Sequence, residues 1–409
     1  MFGQQMHRQV FVLATAQALV QTASVLVMTV GGLAGSQMTS RAELATAPIA
    51  AMFLGTAAAM FPASAWMARV GRRAGFVLGA LLGVLGGLVA ALGTWMGSLA
   101  VLALGMFLVG AYQSFAQFYR FAASEIADDG FRARAIALVL GGGIVAALLG
   151  PTLGRFGGPL LQPLLQPLYV GSFLILSAVS LLAAGVLCGL RMPDATADHV
   201  DTRSARPWAR IVTQPAYLVA LFGAATGFGV MILAMTATPI AMVHHHHALS
   251  VAATVIQIHV LGMYLPSFFT GSLIARFGAL RIMLAGVALL AGHVLATFSG
   301  VSFGSFAGAL VLLGIGWNFL FIGSTTLLTA TYSPAEKSRA QATNDMTIFV
   351  VGLTCSFGAG GLLKAFGWQT LNGLLLPWLA TAALAILWFG VKNRRRDHEA
   401  GALEAEPTR

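Results

Sequence analysis

The stretch PAYLVALFGAATGFGVMILAMTATPIAMV, residues 215–243, contains no Asp, Glu, Lys or Arg. Wound into an α-helix, its 29 residues reach about 43 Å, more than the roughly 30 Å hydrocarbon core of a bilayer. Similar runs recur on both sides of it. The 409-residue chain is 58% hydrophobic and only 9% charged, against about 25% charged residues in a soluble domain. Mean hydropathy is +0.84. So few charges cannot coat a soluble body of this size, which excludes a soluble enzyme, a fibrous protein and a disordered one. Strands of a membrane barrel would alternate apolar and polar residues, whereas these runs are continuous. The chain reads as an all-α integral membrane protein.

Working outward from residues 215–243, turn signals divide the chain into about twelve transmembrane helices: 9–34, 45–68, 74–96, 99–122, 133–154, 166–190, 215–243, 250–275, 280–299, 304–329, 342–363 and 370–391. Basic residues orient them, because Lys and Arg stay in cytoplasmic loops. With the N-terminus inside, 19 of the 23 basic residues fall on the inner side, and Arg41, Arg155 and Lys364 fall outside. The expectation is a multi-pass protein of the bacterial inner (plasma) membrane with both termini cytoplasmic. The net charge of +10 reports this topology and not nucleic-acid binding. The opening MFGQQMHRQV leads into a retained first helix rather than a cleaved signal peptide. Cys188 and Cys355 both fall in helices and support neither a disulfide nor a cysteine metal site.

One long polar loop splits the spans six and six. The expected organisation is an N-terminal six-helix bundle over 1–190, a cytoplasmic linker over 191–213, a C-terminal six-helix bundle over 214–391 and a cytoplasmic tail over 392–409. The halves echo each other. Ser64-xxx-Ala68-Arg69-x-Gly71-Arg72-Arg73 returns as Gly271-xxx-Ala275-Arg276-x-Gly278, and Arg134-Ala135-Ile136-Ala137 returns as Arg339-Ala340-Gln341-Ala342. Both pairs are offset by about 206 positions, the mark of a duplicated six-helix unit. These short loops resemble the G-xxx-D-R-x-G-R-[RK] signature of the major facilitator superfamily. Ala68 and Ala275 stand where that signature has an acid, and Ser64 stands for its first Gly, so the resemblance implies the family's fold with a weakened inner charge relay. Gly150-Pro151-xx-Gly154 is similar to a Gly-Pro motif common in exporters of that family, and equally describes a tightly packed, kinked helix.

Carboxylates inside a membrane mark proton relays, and here only Asp345 falls where one could face a cavity. The interior offers sulfur, imidazole, amide and aromatic groups instead. Met231-xxx-Met235 in span 7 and His259-xxx-Met263 in span 8 are i, i+4 pairs, each on one helical face. Across an antiparallel hairpin, facing residues have numbers of constant sum. Met235 with His259, and Met231 with Met263, give the same sum, so the four side chains sit at matching depth. Three thioethers and one imidazole form a soft set suited to Cu(I), though Met is also a common filler of apolar helices.

The MxxxM and HxxxM pairs on helices 7 and 8 resemble the CcoA-like copper importers, the CalT branch, which also includes riboflavin importers. The resemblance implies that Met231, Met235, His259 and Met263 handle copper as transported substrate. The copper would pass from a periplasmic donor to a cytoplasmic acceptor and serve cytochrome oxidase assembly. His244, His245, His246 and His247 in the turn between these spans are candidates for metal recruitment, or simply a polar turn. Met28, Gln113, Gln117, Tyr119, Trp317 and Asn318 are candidates for lining a central cavity. Amides with aromatic rings suit a flat heterocycle, so a riboflavin or other small organic importer, or a drug exporter, stays open beside copper. No cofactor is expected, and no Ser/His/Asp set or phosphate loop suggests an enzyme.

Overall fold

The computed structural model describes residues 2–39, 44, 47–161, 169–192 and 206–404. Most of the expected linker, residues 193–205, and Arg41 lie outside them. The chain forms helices α1 (Phe2–Met38), α2 (Ala47–Val70), α3 (Arg72–Trp95), α4 (Leu99–Ala116), α5 (Tyr119–Ile126), α6 (Arg132–Gly141), α7 (Gly143–Leu161) and α8 (Val170–Cys188). They are followed by α9 (Trp208–Val212), α10 (Pro215–His244), α11 (Leu249–Tyr264), α12 (Ser267–Phe277), α13 (Ala279–Thr297), α14 (Phe303–Thr329), α15 (Lys337–Gly373) and α16 (Leu375–Glu404).

Several spans are two helices end to end. Span 8 breaks at Pro266, whose ring removes a backbone donor, so α11 passes into α12. Eleven stretches among the described residues are long and apolar enough to cross a membrane. The last, Lys337–Asn393, holds 57 residues, enough for two crossings. Gly367, at φ 75, breaks it, and the expected twelve spans result. α16 continues to Glu404, through most of the residues that the polar composition marked as a tail.

Two compact units form. The first is Met1–Ala205 with Ser333–Met346, and the second is Arg206–Tyr332 with Thr347–Arg409. The sequence put the whole of span 11 in the second half. The inner end of α15 belongs spatially to the first unit, so the boundary cuts α15 between Met346 and Thr347. The duplication is visible in the backbone: Gly71 and Gly278, at equivalent places in the two loop motifs, have φ values of 86 and 84.

Lipid tails are as apolar as leucine, so helices associate through close packing over small residues. In the first unit α2 meets α4 this way: a Cβ on Gly110 would run into the Met52 carbonyl oxygen, and one on Gly55 into that of Phe107. In the second unit α14 is the central rod, packing against α10, α11 and α13. Because the obstruction at Gly110 is backbone, Gly110→Ala is expected to force α2 and α4 apart. It should cost about 1–3 kcal/mol, read as a lower melting temperature of the detergent-purified protein.

Candidate substrate site

In the second unit, aromatic side chains line one face of α14. Trp317 and Phe321, one turn apart, stack at 5.0 Å between ring centres and 16° between planes. Tyr264 of α11 meets Trp317 edge-on at 5.9 Å. Phe228 of α10 lies 6.4 Å from Phe321. Trp317 and Phe321 are buried, while Tyr264 and Phe228 are half-buried. The same three helices, α10, α11 and α14, carry buried polar atoms without a hydrogen-bond partner among the described residues: Trp317 Nε1, Thr226 Oγ1, Ser324 Oγ and His259 Nε2. Orphaned polar atoms in a membrane interior are costly, so the unpartnered Trp317 indole N–H, on the aromatic face itself, marks where a polar, flat ligand would repay that cost.

Asn318, expected as a cavity residue, is a fully buried brace at the α11–α12 break. Its Nδ2 donates to the Met263 carbonyl oxygen and to Ser267 Oγ, both at 2.7 Å. Its Oδ1 accepts from Thr270 Oγ1 at 2.6 Å. Thr270 also donates to the Pro266 carbonyl oxygen at 2.8 Å. One amide therefore satisfies the Met263 carbonyl and two hydroxyl side chains around the proline break.

Of the four expected soft ligands, Met231, His259 and Met263 are buried and Met235 is partly exposed. The His259 ring is fixed on α14, with Nδ1 2.9 Å from the Leu310 carbonyl oxygen. A carbonyl can only accept, so Nδ1 carries the proton and Nε2 presents a lone pair. At Gly314, α14 comes so near α11 that a Cβ would stand 2.7 Å from both the His259 carbonyl oxygen and the Met263 amide nitrogen. No cluster of three or more His, Cys, Asp or Glu side chains suited to a metal occurs among the described residues. A soft ion would depend on the thioethers.

The histidine run does not act as one group. His247 Nε2 lies 2.8 Å from the Val301 carbonyl oxygen, and its ring meets Phe306 edge-on. His246 takes a left-handed turn at φ 64. His244 and His245 line a cavity of about 660 Å³ together with Lys364 and Trp368. The Lys364 ammonium in the same lining works against capture of a cation.

In the first unit, Gln113 braces three helices: Nε2 donates to Ser24 Oγ, and Oε1 accepts from Thr56 Oγ1 at 3.1 Å. Gln117 sits half-buried where α4 ends. Tyr119 is fully buried, edge-on to Phe76 at 4.7 Å. The Met28 side chain lies outside the described residues. Gly150 packs where a Cβ would stand 2.5 Å from Val25 Cβ of α1. The loop after α2 keeps a charge relay despite its missing acid. Arg72 Nη2 pairs with Glu125 at 2.7 Å and donates to Gln341 Oε1 at 2.5 Å, and Lys337 pairs with Glu125 at 2.9 Å. Ser64, the departure from the family signature, reaches Ser338, its Oγ 2.9 Å from both the Ser338 carbonyl oxygen and Oγ.

The sequence pattern flagged Trp317 but not the partners that make it a wall. The i, i+4 pair Trp317/Phe321 was readable. Tyr264 and Phe228 were not, because they arrive from two other helices.

Twelve spans, duplicated six-helix halves and a small-residue interior define a membrane carrier, and the comparisons agree. The family model described as Major Facilitator Superfamily matches residues 10–263 and 219–408. The chain belongs to this superfamily and is a multi-pass secondary transporter. It is 39% identical over 381 residues to the riboflavin transporter RfnT of Brucella anthropi, covering 93% of this chain and 95% of the relative. It is 31% identical over 354 residues to the uncharacterized MFS-type transporter YddS of Bacillus subtilis, covering 82% of this chain and 79% of the relative. Among solved structures it resembles FucP in the outward conformation, with TM-score 0.71, 16% identity and coverage of 93% of this chain and 98% of that one. It also resembles the human organic anion transporter MFSD10 (TETRAN), with TM-score 0.70, 14% identity and coverage of 93% and 99%. At such identities the solved structures speak to the fold alone.

Replacing Asn318 by Leu removes every bond that Asn318 makes and strands Ser267 Oγ and the Met263 carbonyl, while Thr270 keeps its bond to Pro266. At about 1–3 kcal/mol per orphaned group, Asn318→Leu should lower the melting temperature well beyond Thr270→Val, measured on the two purified variants side by side.

Proposed function

We propose that this protein imports riboflavin, or a closely similar flat heterocycle, across the bacterial inner membrane by alternating access. The observation that carries the reading is the aromatic face Phe228–Phe321–Trp317–Tyr264, with the unpartnered Trp317 indole N–H on it and further unpartnered buried polar atoms on the same helices. An isoalloxazine-like ring gains stacking area on such a face. The Trp317 indole N–H and the His259 Nε2 lone pair offer one donor and one acceptor to a ring system that bears both kinds of group. The relative named a riboflavin transporter, similar over nearly the whole of both chains, favours this class over a metal ion. With both termini cytoplasmic, as the basic residues suggest, the His244 end of α10 faces the periplasm.

A second reading, copper import, is favoured by one observation. His259 donates through Nδ1 to a backbone carbonyl and keeps Nε2 bare, the arrangement that typically orients a metal-bound imidazole. α14 serves as a ruler for depth. Gly223 faces Ser324 and Gly227 faces Leu320, so one further turn brings Met231 level with Gly316, near the Gly314 contact with Met263. Cu(I) would then be the cargo, with a periplasmic donor and a cytoplasmic acceptor as partners.

The two readings part on mutation. In a riboflavin-requiring strain, Trp317→Ala is expected to reduce labelled-riboflavin uptake by at least about tenfold, the effect of ~1.4 kcal/mol of lost binding. Met235→Ala should leave that uptake near wild type. Cellular ⁶⁴Cu uptake that collapses in His259→Ala and Met235→Ala, with riboflavin uptake absent from the wild type, would replace the first reading with the second.

A further inference from the structure

The cavity of about 660 Å³ in the second unit, where α10 ends and α15 breaks, is used by neither reading of the cargo. Its volume is in the range of sites that hold small organic molecules. The lining has two characters. His244, His245, Lys364, Gln369 and Thr370 give it polar groups, and each of these side chains carries a hydrogen-bond donor. Ile240, Val301, Leu363, Phe366 and Trp368 give it an apolar part. On the orientation proposed above, this is the periplasmic end of the unit.

The unit provides no carboxylate to answer the Lys364 charge. From Arg206 to Tyr332, and again from Thr347 to Arg396, the sequence has no Asp or Glu. The first acid, Asp397, lies about six turns along α16 from Leu375. Lys364 is also one of the few basic residues that fall on the outer side, against the general bias. The walls around it are fixed by contacts of their own. His247 Nε2 lies 2.8 Å from the Val301 carbonyl oxygen, and the His247 ring meets Phe306. Phe306 in turn packs on Trp368, with ring centres 5.2 Å apart. The Trp368 carbonyl oxygen accepts from Asn372 Nδ2 at 2.8 Å, and Asn372 Oδ1 lies 3.0 Å from His293 Nε2. Gly360 and Gly367 keep the space open: both line it, and a Cβ on either would meet no atom within 4 Å.

We propose that this cavity binds the headgroup of an anionic phospholipid of the outer leaflet, with its phosphate held by Lys364, His244 and His245. A phosphodiester carries one negative charge and only accepts hydrogen bonds, and this lining presents donors around an unanswered cation. The apolar part of the lining favours a lipid over a soluble phosphate ester. Ile240 and Phe366 are both apolar and exposed, and they offer a surface along which the start of an acyl chain lies. A lipid seated there touches α10 and both sides of the α15 break, so its occupancy holds these elements together. The proposal goes beyond both readings of the cargo and depends on neither.

The test is native mass spectrometry of the full chain in detergent, titrated with phosphatidylglycerol or with phosphatidylcholine of the same acyl chains. Arginines at the inner end attract anionic lipid too, so the quantity that counts is the difference between wild type and variant. Lys364→Gln is expected to weaken phosphatidylglycerol binding about fivefold, the effect of one cation beside an anionic headgroup, and to leave phosphatidylcholine binding unchanged. Lys364→Arg should keep the wild-type affinity. Gly360→Leu fills the cavity, leaves every charge in place and should weaken phosphatidylglycerol binding as well. Lys364 and Gly360 are both exposed, so these variants keep the fold, and unchanged phosphatidylcholine binding verifies it. Equal phosphatidylglycerol affinity in wild type and Lys364→Gln, or an effect of Lys364→Gln that Gly360→Leu does not share, would overturn the proposal. Displacement of the bound lipid by millimolar glycerol 3-phosphate would assign the cavity to a soluble phosphate ester and overturn the lipid as its source.

Discussion

Hydrocarbon offers no hydrogen bonds, and every polar group taken into it must find a partner inside the protein. That constraint organises this molecule. Backbone groups are satisfied by helices, and where a helix breaks a side chain has to step in. At Pro266 the substitute is Asn318 from a neighbouring helix, whose amide satisfies Met263, Ser267 and Thr270 together. In the first unit Gln113 does similar work between Ser24 and Thr56. Amides that look like ligand-binding groups in a linear sequence are here largely consumed in joining helices.

The same constraint isolates the groups that structure does not consume. Along α14 successive turns carry different duties. Leu310 supplies a carbonyl to His259, Gly314 admits α11, Trp317 and Phe321 present rings, and Asn318 braces the break. A rod that bears so many contacts is held in place by them, and a rigid aromatic face carrying the bare Trp317 indole N–H is a preorganised surface. Superfamily membership makes the protein a transporter. What it carries depends on whether those bare atoms meet a ring or an ion.

Much of the fold could be read from the chain before any coordinates. Continuous apolar runs set the spans, the distribution of arginines set an expected orientation, and the duplicated loop motifs marked a repeat, in which Gly71 and Gly278 turn out to share a positive φ. Two things were hidden because they depend on contacts between distant segments. Ser64 and Ala68 looked like losses from a signature. Ser64 in fact gains a hydrogen bond to Ser338, more than two hundred residues away, and Arg72 finds Glu125 without the missing acid. Asp345 was noticed, but period and spacing within a helix carry no information about its partner on another one, Arg120. The aromatic wall was half-visible for the same reason: its α14 pair has helical spacing, and its other two members come from α10 and α11.

The central claim is that a flat ring stacks on Trp317. Flavin emission is quenched by a stacked indole, so titrating purified protein with riboflavin and following flavin fluorescence tests the claim without reference to transport. Saturable quenching in the wild type that is lost in Trp317→Leu, with the folded state of both verified by their melting curves, is the predicted result. Quenching of the same size in Trp317→Leu, or none in the wild type at any riboflavin concentration, would contradict it.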